Sequence, residues 1–579
     1  MSLFQKLMFI LSSAQKSGLL ILGGLLFIGI FFEMIGLGIL IPALSIVLKS
    51  DIAKEYPSLQ PFLAFIGNPS EKQLVTLSMS FLIFIYFFKG LYLIFITWKQ
   101  TKFNTSLSSE IANKLFLGYL TQPYAFHLQR NSAGLVRNIQ SEVGMLNSVG
   151  QSILVLATEF SVVFSMIIIL FIVEPLGALS IAGFLSVSGY IFHRLTKFRI
   201  LTWGEKRQKY DMQAYLHVLQ GLGGIKDIKL LGKEKSIYSL YKNNNDKKTG
   251  IVVKQTTLTQ VPRIYLELLA VLGLAGLVIL MTLQGRPLEQ LIPILGVFVA
   301  AAFRMIPSVN RIMGAVQNIQ YGKPVVELLY EEFSYIHTRS HSTDQRTKID
   351  FKNSLQIQDL VFQYENSNSA ALKGVSASIK KGEVIGFIGT SGSGKSTLVD
   401  VVLGLLIPTK GAVLVDGRDI HEDLRAWQDI LGYVPQTIYL TDDSIRRNVA
   451  FGISDEHIDE AAVIGAIKSA RLEDFVSSLD EGLNTNVGER GVKLSGGQRQ
   501  RIGIARALYH DPSVLVFDEA TSSLDTHTEE LIMNTIMDLK GTKTILIVAH
   551  RLSTLKKCNR IYRITKGVIE KQGTPENIL

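Results

Sequence analysis

The chain has 579 residues, carries a formal net charge of +10 and contains one cysteine, Cys558. This length exceeds a single compact domain, since domains run to about 100–200 residues, and it predicts two or three domains. A lone cysteine excludes an internal disulfide bond, and we expect an inert thiol. Apolar residues make up 47% of the chain and are concentrated before about residue 330, so the composition predicts a membrane part followed by a soluble part.

Six stretches are apolar and long enough to cross a hydrocarbon core, which takes about 20 residues per helix. The first is far longer than the apolar core of a signal peptide, so we expect it to remain a membrane helix. We therefore predict an all-α transmembrane domain over 1–330, a polar linker over 331–353 and a soluble α/β domain over 354–579. The six stretches are 18–48, 74–98, 153–173, 175–195, 265–283 and 291–316.

Lys and Arg are concentrated in two long loops, between the second and third stretches and between the fourth and fifth. The positive-inside rule places these loops and both termini in the cytoplasm. The same rule explains the net positive charge of the chain as a signal for its orientation in the membrane, so no nucleic-acid partner is expected. Helical patterns at 106–119 and 205–219 predict that the membrane helices extend well into the cytoplasm.

Several ionisable residues lie within or at the ends of the apolar stretches, where a charge is costly unless it faces a cavity or a partner. Lys89, Arg263 and Arg304 are candidates for a basic transport path suited to an anionic group such as phosphate. The alternative is structural pairing, such as Arg263 with Glu267 one turn away, or snorkelling at a helix end. For the acidic residues we expect pairing: Glu33, Glu159 and Glu267.

The strongest local signal is a glycine-rich loop between an apolar run, 384–388, and a helical stretch, 398–406. This strand, loop and helix context is that of a P-loop. Its main-chain N–H groups approach phosphates, Lys395 reaches the β and γ phosphates, and the Ser396 hydroxyl coordinates Mg²⁺. The predicted ATP-binding residues of the loop are Gly389, Thr390, Ser391, Gly392, Ser393, Gly394, Lys395, Ser396 and Thr397.

A second apolar run, 514–517, ends in two acids. In a P-loop site, Asp518 would hold the Mg²⁺ shell and Glu519 would polarise the attacking water as general base. An apolar strand that ends in Asp-Glu is common by itself, so this assignment depends on the rest of the motif set.

Residues 494–498, Leu-Ser-Gly-Gly-Gln, precede that run and open an Arg-rich helix. They resemble the signature sequence of ATP-binding-cassette (ABC) proteins. The resemblance implies that Tyr364 stacks on adenine, that Gln436 is the Q-loop residue near Mg²⁺, that 522–525 form the D-loop and that His550 is the switch histidine. The predicted signature residues are Ser495, Gly496, Gly497 and Gln498.

The signature also makes physical sense as a second phosphate site, because a helix N-terminus offers N–H groups and a positive dipole to an anion. In the ABC family this anion is the γ-phosphate held by a partner's P-loop, so the resemblance implies a homodimer. Catalysis would then depend on Glu519, His550 and Gln436.

Three further segments resemble parts of ABC exporters. Residues 485–491 are similar to the exporter X-loop, which touches the cytoplasmic loops of the membrane domain. Residues 119–126, with Pro123 near the middle, and 221–232 are similar to coupling helices that dock into the cassette, with plain loops as the alternative. The X-loop resemblance favours export over import, with an ordinary glycine-bearing turn as the alternative.

The membrane part is similar to bacterial lipid-linked oligosaccharide flippases of the PglK type, through 261–267, 304–312 and an amphipathic segment at 56–66. In those flippases an external helix like 56–66 handles the lipid, although a plain extracellular loop remains open. Arg263 and Arg304 match the basic residues that receive the pyrophosphate. Lys89 replaces an expected arginine and would supply charge without bidentate binding.

The resemblance implies an ATP-driven flippase in a bacterial inner membrane, with the cassette in the cytoplasm and membrane lipids and an anionic lipid-linked sugar as partners. The alternative is another ABC exporter, of hydrophobic drugs, other lipids or peptides. A third hypothesis is a regulatory membrane protein that binds ATP without transport. The presence of Glu519 and of an intact signature argues against this third hypothesis.

Overall fold

The computed structural model describes residues 1–48, 71–173, 175–283, 288–339, 349–365, 367–519, 526–549 and 552–579. Within helices, a few side chains, including those of Glu33 and Arg304, are also outside the description. The chain divides into two compact units. The first comprises Met1–Gln122 and His127–Ser340, and the second comprises Pro123–Phe126 and His341–Leu579.

The described elements from Leu3 to Arg339 are all helices, and residues 124–126 among them are grouped with the second unit. Six helices are long and four are short, and a π-helical turn at Asn138–Glu142 precedes α6. In chain order the helices are α1 Leu3–Ile10, α2 Ser13–Leu48, α3 Glu71–Leu120, α4 Tyr124–Gln129, α5 Ser132–Arg137, α6 Val143–Val173, α7 Pro175–Gly223, α8 Ile225–Leu231, α9 Glu234–Leu283 and α10 Leu288–Arg339.

Each of the six predicted membrane stretches lies within one of the long helices. Among the described residues, four segments are apolar and long enough to cross a membrane: Ser13–Phe32, Val75–Leu120, Ser132–Ile172 and Glu234–Gly276. The apolar stretches of α7 and α10 include many side chains outside the description. The predicted external segment, 56–66, also lies outside the described residues.

The helices are longer than a membrane requires. α3 and α9 have 50 residues each, which corresponds to about 75 Å at 1.5 Å per residue, against a hydrocarbon core of about 30 Å. The helical patterns at 106–119 and 205–219 are continuous with α3 and α7. The prediction that membrane helices continue beyond the bilayer is therefore confirmed. The polar linker predicted from residue 331 begins inside α10, which runs uninterrupted to Arg339.

The two predicted coupling segments differ in outcome. α8 forms inside 221–232 and ends at Gly232 in the left-handed conformation, with φ 62°, as glycine commonly does at a helix end. The helix predicted over 119–126 is shifted: α3 ends at Leu120 and the short helix α4 begins at Tyr124. Pro123 thus precedes the new helix, because proline cannot supply the N–H group that a helix interior requires.

A buried ion cluster joins the helices beyond their apolar stretches. Glu142, at the end of the π-helical turn, is completely buried. Its carboxylate lies 2.8 Å from Nη2 of Arg207 on α7 and 3.5 Å from Nε of Arg137 on α5. A buried carboxylate between two guanidinium groups avoids the cost of an unpaired charge. The cluster thus fixes the start of α6 against α7.

The second unit is an α/β domain with two sheets. An antiparallel sheet has the strand order β2-β1-β4-β5, and a mostly parallel sheet has the order β10-β9-β3-β8-β7-β6. The strands are β1 Ser354–Phe362, β2 Leu372–Lys380, β3 Val384–Ile388, β4 Lys410–Val415, β5 Arg418–Asp419, β6 Leu431–Val434, β7 Val514–Asp518, β8 Thr544–Val548, β9 Arg560–Thr565 and β10 Val568–Gly573.

The helices of this unit enclose the parallel sheet. One apolar core lies around β7 and the helix Gly496–Leu508, and a second lies between β1, β2, β3 and the helix Lys395–Val402. The central strands β3, β7 and β8 are almost wholly buried runs, as parallel strands covered on both faces require. The helices are α11 Lys395–Val402, α12 Leu424–Asp429, α13 Ile445–Val449, α14 Glu460–Ser469, α15 Glu473–Ser477, α16 Gly496–Leu508, α17 Thr526–Asp538, α18 Leu552–Leu555 and α19 Pro575–Ile578.

Candidate functional site

The parallel sheet brings the predicted nucleotide residues to one edge. β3, β8, β7 and β6 run parallel, so their carboxyl ends share that edge. The glycine-rich loop follows β3, the two acids end β7, and Gln436 follows β6. Ligands of open α/β sheets bind at this edge. His550, which follows β8, and the segment 522–525 lie outside the described residues.

The glycine-rich loop has the backbone that its sequence predicts. Gly392 and Gly394 have φ values of 75° and 105°, a region that favours glycine. A Cβ atom at Gly389 would lie 2.2 Å from the main-chain oxygen of Ile564. The loop therefore requires glycine at these positions. The helix α11 that follows ends at Val402, short of the predicted 406, and Gly404 then adopts a φ of 69°.

Lys395 opens α11 and is buried. Its Nζ donates to the main-chain oxygens of Gly389, at 2.9 Å, and of Thr390, at 3.1 Å. Burial lowers the pKa of Lys395, and the nearby charges of Glu519 and Asp518 oppose this effect. The ammonium is thus held across the loop between the main chain and two carboxylates.

The two acids at the end of β7 have different surroundings. Burial, and secondly the charge of Glu519, raises the pKa of Asp518, while Lys395 lowers it. Glu519 has a φ of 49°, an unusual conformation that points to a functional constraint. Its Oε2 accepts a hydrogen bond of 2.7 Å from Nε2 of Gln436. The structure therefore brings the predicted base and the predicted Q-loop residue into direct contact.

These residues fit a nucleotide and its metal ion. The Oγ atom of Ser393 is buried and has no hydrogen-bond partner within the described residues, as expected of a group that faces a ligand. Ser396 follows Lys395 in the first turn of α11, where N–H groups attract an anion. Tyr364 lies beside this turn, and its hydroxyl is 3.1 Å from Oγ1 of Thr397. Its predicted stacking on adenine stays a prediction.

The signature forms the N-terminus of α16. Ser495 caps the helix: its Oγ accepts from the N–H of Gln498 at 3.2 Å, and Oε1 of Gln498 accepts from the N–H of Ser495 at 2.8 Å. This capping box leaves the first-turn N–H groups of Gly496 and Gly497 for another acceptor. Ser495 is exposed on the unit's surface. The arrangement suits a phosphate that approaches from outside the unit.

One residue near the loop, Asp400 on α11, was not among the predicted site residues. Burial, and secondly the charge of Asp518, raises the pKa of Asp400 on α11 to about 6. Tyr124 lies close enough that Asp400 contributes to its raised pKa, after burial. Pro123–Phe126, from the segment predicted to dock into the cassette, belongs to this unit, and Ala125 packs against its apolar core. The sequence signal for Asp400 was its position, as a carboxylate on the helix that follows the P-loop.

The X-loop candidate is a turn with several left-handed residues. Gly488, Arg490 and Gly491 have φ values of 76°, 54° and 67°. Oδ1 of Asn486 accepts from the N–H of Gly488 at 2.7 Å. Val492, next in sequence, is strongly exposed. The turn therefore presents an apolar side chain on the surface of the unit.

The charges of the membrane helices have distinct surroundings. Lys89 on α3 is only 6% exposed, and its Nζ lies 5.1 Å from the ring centroid of Tyr86. Arg263 on α9 is exposed, with its Nε 3.3 Å from Oε1 of Glu267. α3 packs against α2 and α6, whereas α9 packs against α7 and α10. The described side chains therefore do not place Lys89 and Arg263 on adjacent helices.

Pairing is confirmed for two of the three acids. Glu267 contacts Arg263, and Glu159 pairs with Arg311 on α10. The side chains of Glu33 and Arg304 lie outside the description. Arg311 was not among the predicted charges, although it stands in the segment 304–312.

The comparisons with known proteins agree with this architecture. The model of the ABC transporter transmembrane region matches residues 19–283, and the ABC transporter model matches residues 372–522. An ATP-dependent lipid A-core flippase of Cupriavidus pinatubonensis is 31% identical over 470 residues, which cover 80% of this chain and 79% of that protein. The chain belongs to the ABC transporter family.

Two other similar proteins support this membership. The leukotoxin translocation ATP-binding protein LktB of Mannheimia haemolytica is 43% identical over 231 residues, 40% of this chain and 32% of that protein. The structure of a bacterial Atm1-family ABC exporter with ATP bound superposes with a TM-score of 0.81 at 23% identity, over 98% of this chain and 97% of that one. This likeness establishes the exporter fold.

The predicted fold class is thereby confirmed: a helical transmembrane domain of the ABC exporter type and an α/β ATP-binding cassette. The chain is a membrane-embedded ATP hydrolase coupled to transport, and several of its relatives are named ATP-dependent lipid A-core flippases. The cargo, the metal ion and the number of copies are not determined by family membership, because ABC exporters share cassettes while they differ in cargo.

Proposed function

We propose that two copies of this chain form an ATP-driven flippase that moves a polyprenyl-pyrophosphate-linked oligosaccharide from the cytoplasmic to the outer leaflet of a bacterial inner membrane. The observation that carries this proposal is Lys89, a cation 6% exposed within an apolar helix. A charge at membrane depth is costly and usually marks a substrate pathway. A cation in this position would attract an anionic headgroup as it passed.

The choice of cargo rests on the membrane segments 261–267 and 304–312, which are similar to lipid-linked oligosaccharide flippases. Arg263 is 69% exposed at its side chain and engages Glu267 only at 3.3 Å. Its guanidinium therefore keeps donors for a pyrophosphate, which binds arginine in a bidentate manner. Lys89 would add a point charge. We also propose that Arg304 contacts the pyrophosphate.

A second candidate cargo is lipid A-core, favoured by the identity with the Cupriavidus protein along most of both chains. Both cargoes combine a lipid, sugars and phosphate groups, so the charges alone do not distinguish them. Their anchors differ: one has a single polyprenyl chain and the other has several acyl chains. A direct comparison of the two lipids is therefore the decisive experiment.

The ATP cycle proposed here uses the cassette as described. The P-loop and Lys395 would hold the phosphates, Ser396, Gln436 and Asp518 would hold a Mg²⁺ ion, and Glu519 would orient the attacking water. Mg²⁺ supplies charge compensation at the phosphates. The exposed N-terminus of α16 receives the γ-phosphate bound by a second copy, so the two cassettes close head to tail.

Coupling to the membrane part is proposed through two short segments. Pro123–Phe126 clusters with the cassette unit, and Ala125 packs against its core. α8 has no buried residues, and Leu230 and Leu231 are strongly exposed. An apolar helix tip of this kind requires a partner surface. We assign that surface to a cassette, so that closure of the cassettes draws the cytoplasmic halves of the helices together.

The cargo is tested by ATP hydrolysis in nanodiscs of neutral lipid, with either a polyprenyl-pyrophosphate oligosaccharide or lipid A-core added. The native protein should respond to the first lipid at lower concentration. The variant Lys89→Gln/Arg263→Gln should lose this response and keep its basal rate. Lys242→Gln/Lys247→Gln, on the exposed part of α9, serves as the control with the same loss of charge.

Stimulation by lipid A-core alone would replace the proposed cargo with the second candidate. An undiminished response of Lys89→Gln/Arg263→Gln would remove the basic residues from the pathway. Stimulation by hydrophobic drugs and by neither lipid would favour a drug exporter.

A further inference from the structure

A basic pocket lies where the N-terminal helix α1 crosses the last long helix, α10. Its volume is about 450 Å³, within the range of small-molecule sites. α1, α6, α7 and α10 all contribute to its walls. Three lysines, Lys6, Lys197 and Lys323, and one carboxylate, Glu327, line the cavity. These four side chains leave an excess of two positive charges.

The carboxylate does not saturate the lysines. Oε1 of Glu327 lies 3.8 Å from Nζ of Lys6 and 3.7 Å from Nζ of Lys323. A hydrogen bond between ammonium and carboxylate is shorter, at about 2.7–2.9 Å. The ammonium groups are thus close enough to concentrate positive charge and retain donors for a second anion. Lys197 adds the third ammonium from α7 and is exposed to the cavity and to solvent.

The position of α1 sets the depth of the pocket. Phe4 is exposed, whereas Phe9 packs against Tyr330 of α10 with ring centroids 5.1 Å apart. Nζ of Lys6 lies 5.6 Å from the centroid of the same tyrosine ring. A short helix with exposed apolar and basic side chains lies at the membrane interface. At the start of α2, Leu20 and Ile21 are also exposed, as lipid contact requires.

An apolar cavity adjoins another side of α1. Its volume is about 480 Å³, and Phe4, Leu7, Met8 and Ile10 form its α1 wall. Leu3 and Lys6 face the basic pocket instead. The same helix therefore separates a region suited to hydrocarbon from a region suited to phosphate.

We propose that the pocket of Lys6, Lys197 and Lys323 binds the phosphate of an anionic phospholipid. Basic pockets between membrane helices on the cytoplasmic side bind such headgroups. The leaflet follows from the proposed orientation of the chain, whereas the phosphate site does not depend on the transported cargo. This lipid is a bound partner that holds α1 against α10 and is distinct from the proposed substrate near Lys89 and Arg263.

The test is binding of phosphatidylglycerol to the purified full-length protein in a neutral detergent, measured by native mass spectrometry. Phosphatidylcholine is the uncharged comparison. Lys197→Gln/Lys323→Gln should bind phosphatidylglycerol about 30-fold more weakly, because each lysine near an anionic lipid changes affinity about fivefold. Lys206→Gln/Lys242→Gln, which removes two exposed lysines outside the pocket, should bind like the native protein.

Equal loss in both double variants would overturn the pocket as the site, as would unchanged binding in Lys197→Gln/Lys323→Gln. A further arm adds inorganic phosphate at millimolar concentration. If phosphate displaced phosphatidylglycerol completely and the native protein did not prefer phosphatidylglycerol to phosphatidylcholine, the site would be one for soluble anions and the lipid assignment would be wrong. A failure to flip the proposed cargo would leave all of these readouts unaffected.

Discussion

At the scale of residues, the account depends on the pair of acids that ends β7. Glu519 is held in a left-handed backbone conformation and bonded to Gln436, and Asp518 is partly buried beside Lys395. This difference in surroundings assigns different tasks to two adjacent carboxylates. We propose that Glu519 orients the attacking water and that Asp518 would hold the metal ion beside the phosphates.

Glu519→Gln should abolish ATP turnover and preserve ATP binding. Glutamine keeps the size of the side chain and its hydrogen bond with Gln436, but it removes the base, which is worth about 10²–10⁴-fold in rate. Hydrolysis and binding of a fluorescent ATP analogue by the purified protein measure the two effects. Glu530→Gln, on the exposed side of α17, should hydrolyse ATP at the native rate. Hydrolysis at the native rate by Glu519→Gln would contradict the assignment of Glu519 as the general base.

Asp400→Asn should stabilise the nucleotide-free protein at pH 7.5 and have little effect near pH 4. The pKa of Asp400 in the folded protein is about 6, above its usual value, because of burial and Asp518. Its ionisation therefore costs stability above about pH 6, and the cost disappears as the pH falls. After allowance for solvent screening, we expect about 1–2 kcal/mol, or about 2–4 °C in melting temperature.

Thermal unfolding of the full chain in detergent at both pH values measures this effect. Asp480→Asn, an exposed carboxylate in the same domain, is the matched control. An equal gain at both pH values, or a loss at pH 7.5, would contradict the assigned pKa of Asp400.

At the scale of elements, the ion cluster around Glu142 holds the cytoplasmic helices together. Glu142→Gln leaves Arg137 and Arg207 buried without their carboxylate, which costs about 3–5 kcal/mol. The apparent melting temperature should fall by roughly 6 °C or more. Glu205→Gln, on the exposed face of α7, should melt like the native protein. A native melting temperature for Glu142→Gln would show that the cluster contributes little.

The elements that sequence could predict are those with local signals. Long apolar runs identify the membrane helices, and the glycine pattern identifies the P-loop, because each depends on neighbouring residues. The cluster of Glu142 and Arg207 joins positions 65 residues apart, so no local pattern indicates it. The sequence analysis followed the helical pattern across Pro123 and up to residue 406. Instead, α4 begins after Pro123 and α11 ends before Gly404, because proline and a left-handed glycine interrupt a helix.

The site shows the same division. Lys395, Asp518, Glu519 and Gln436 were predicted because motif residues recur at known places in the cassette, and the sheet topology brings them to one edge. Asp400 was missed, because its raised pKa arises from burial and from a strand distant in sequence. Pairing of Glu159 was predicted without its partner, Arg311, since the two are 152 residues apart.

At the scale of the whole molecule, the proposal joins two events, closure of two cassettes and movement of a charged lipid. ATP can drive the cargo only if the two states of the membrane part differ in their affinity for it. The exposed signature at Ser495 and the exposed tip of α8 are the surfaces through which a second copy would complete the cycle. In the proposal, the basic residues Lys89 and Arg263 supply this difference in affinity for an anionic headgroup.

The central claim is tested most directly by translocation in proteoliposomes. A polyprenyl-pyrophosphate oligosaccharide, labelled on its sugar, is incorporated with the protein, and the fraction cleaved by an external glycosidase is followed after ATP is supplied on the cassette side. The account predicts ATP-dependent cleavage with the native protein and none above background with Glu519→Gln. No ATP-dependent cleavage with native protein that hydrolyses ATP in the same vesicles would contradict it.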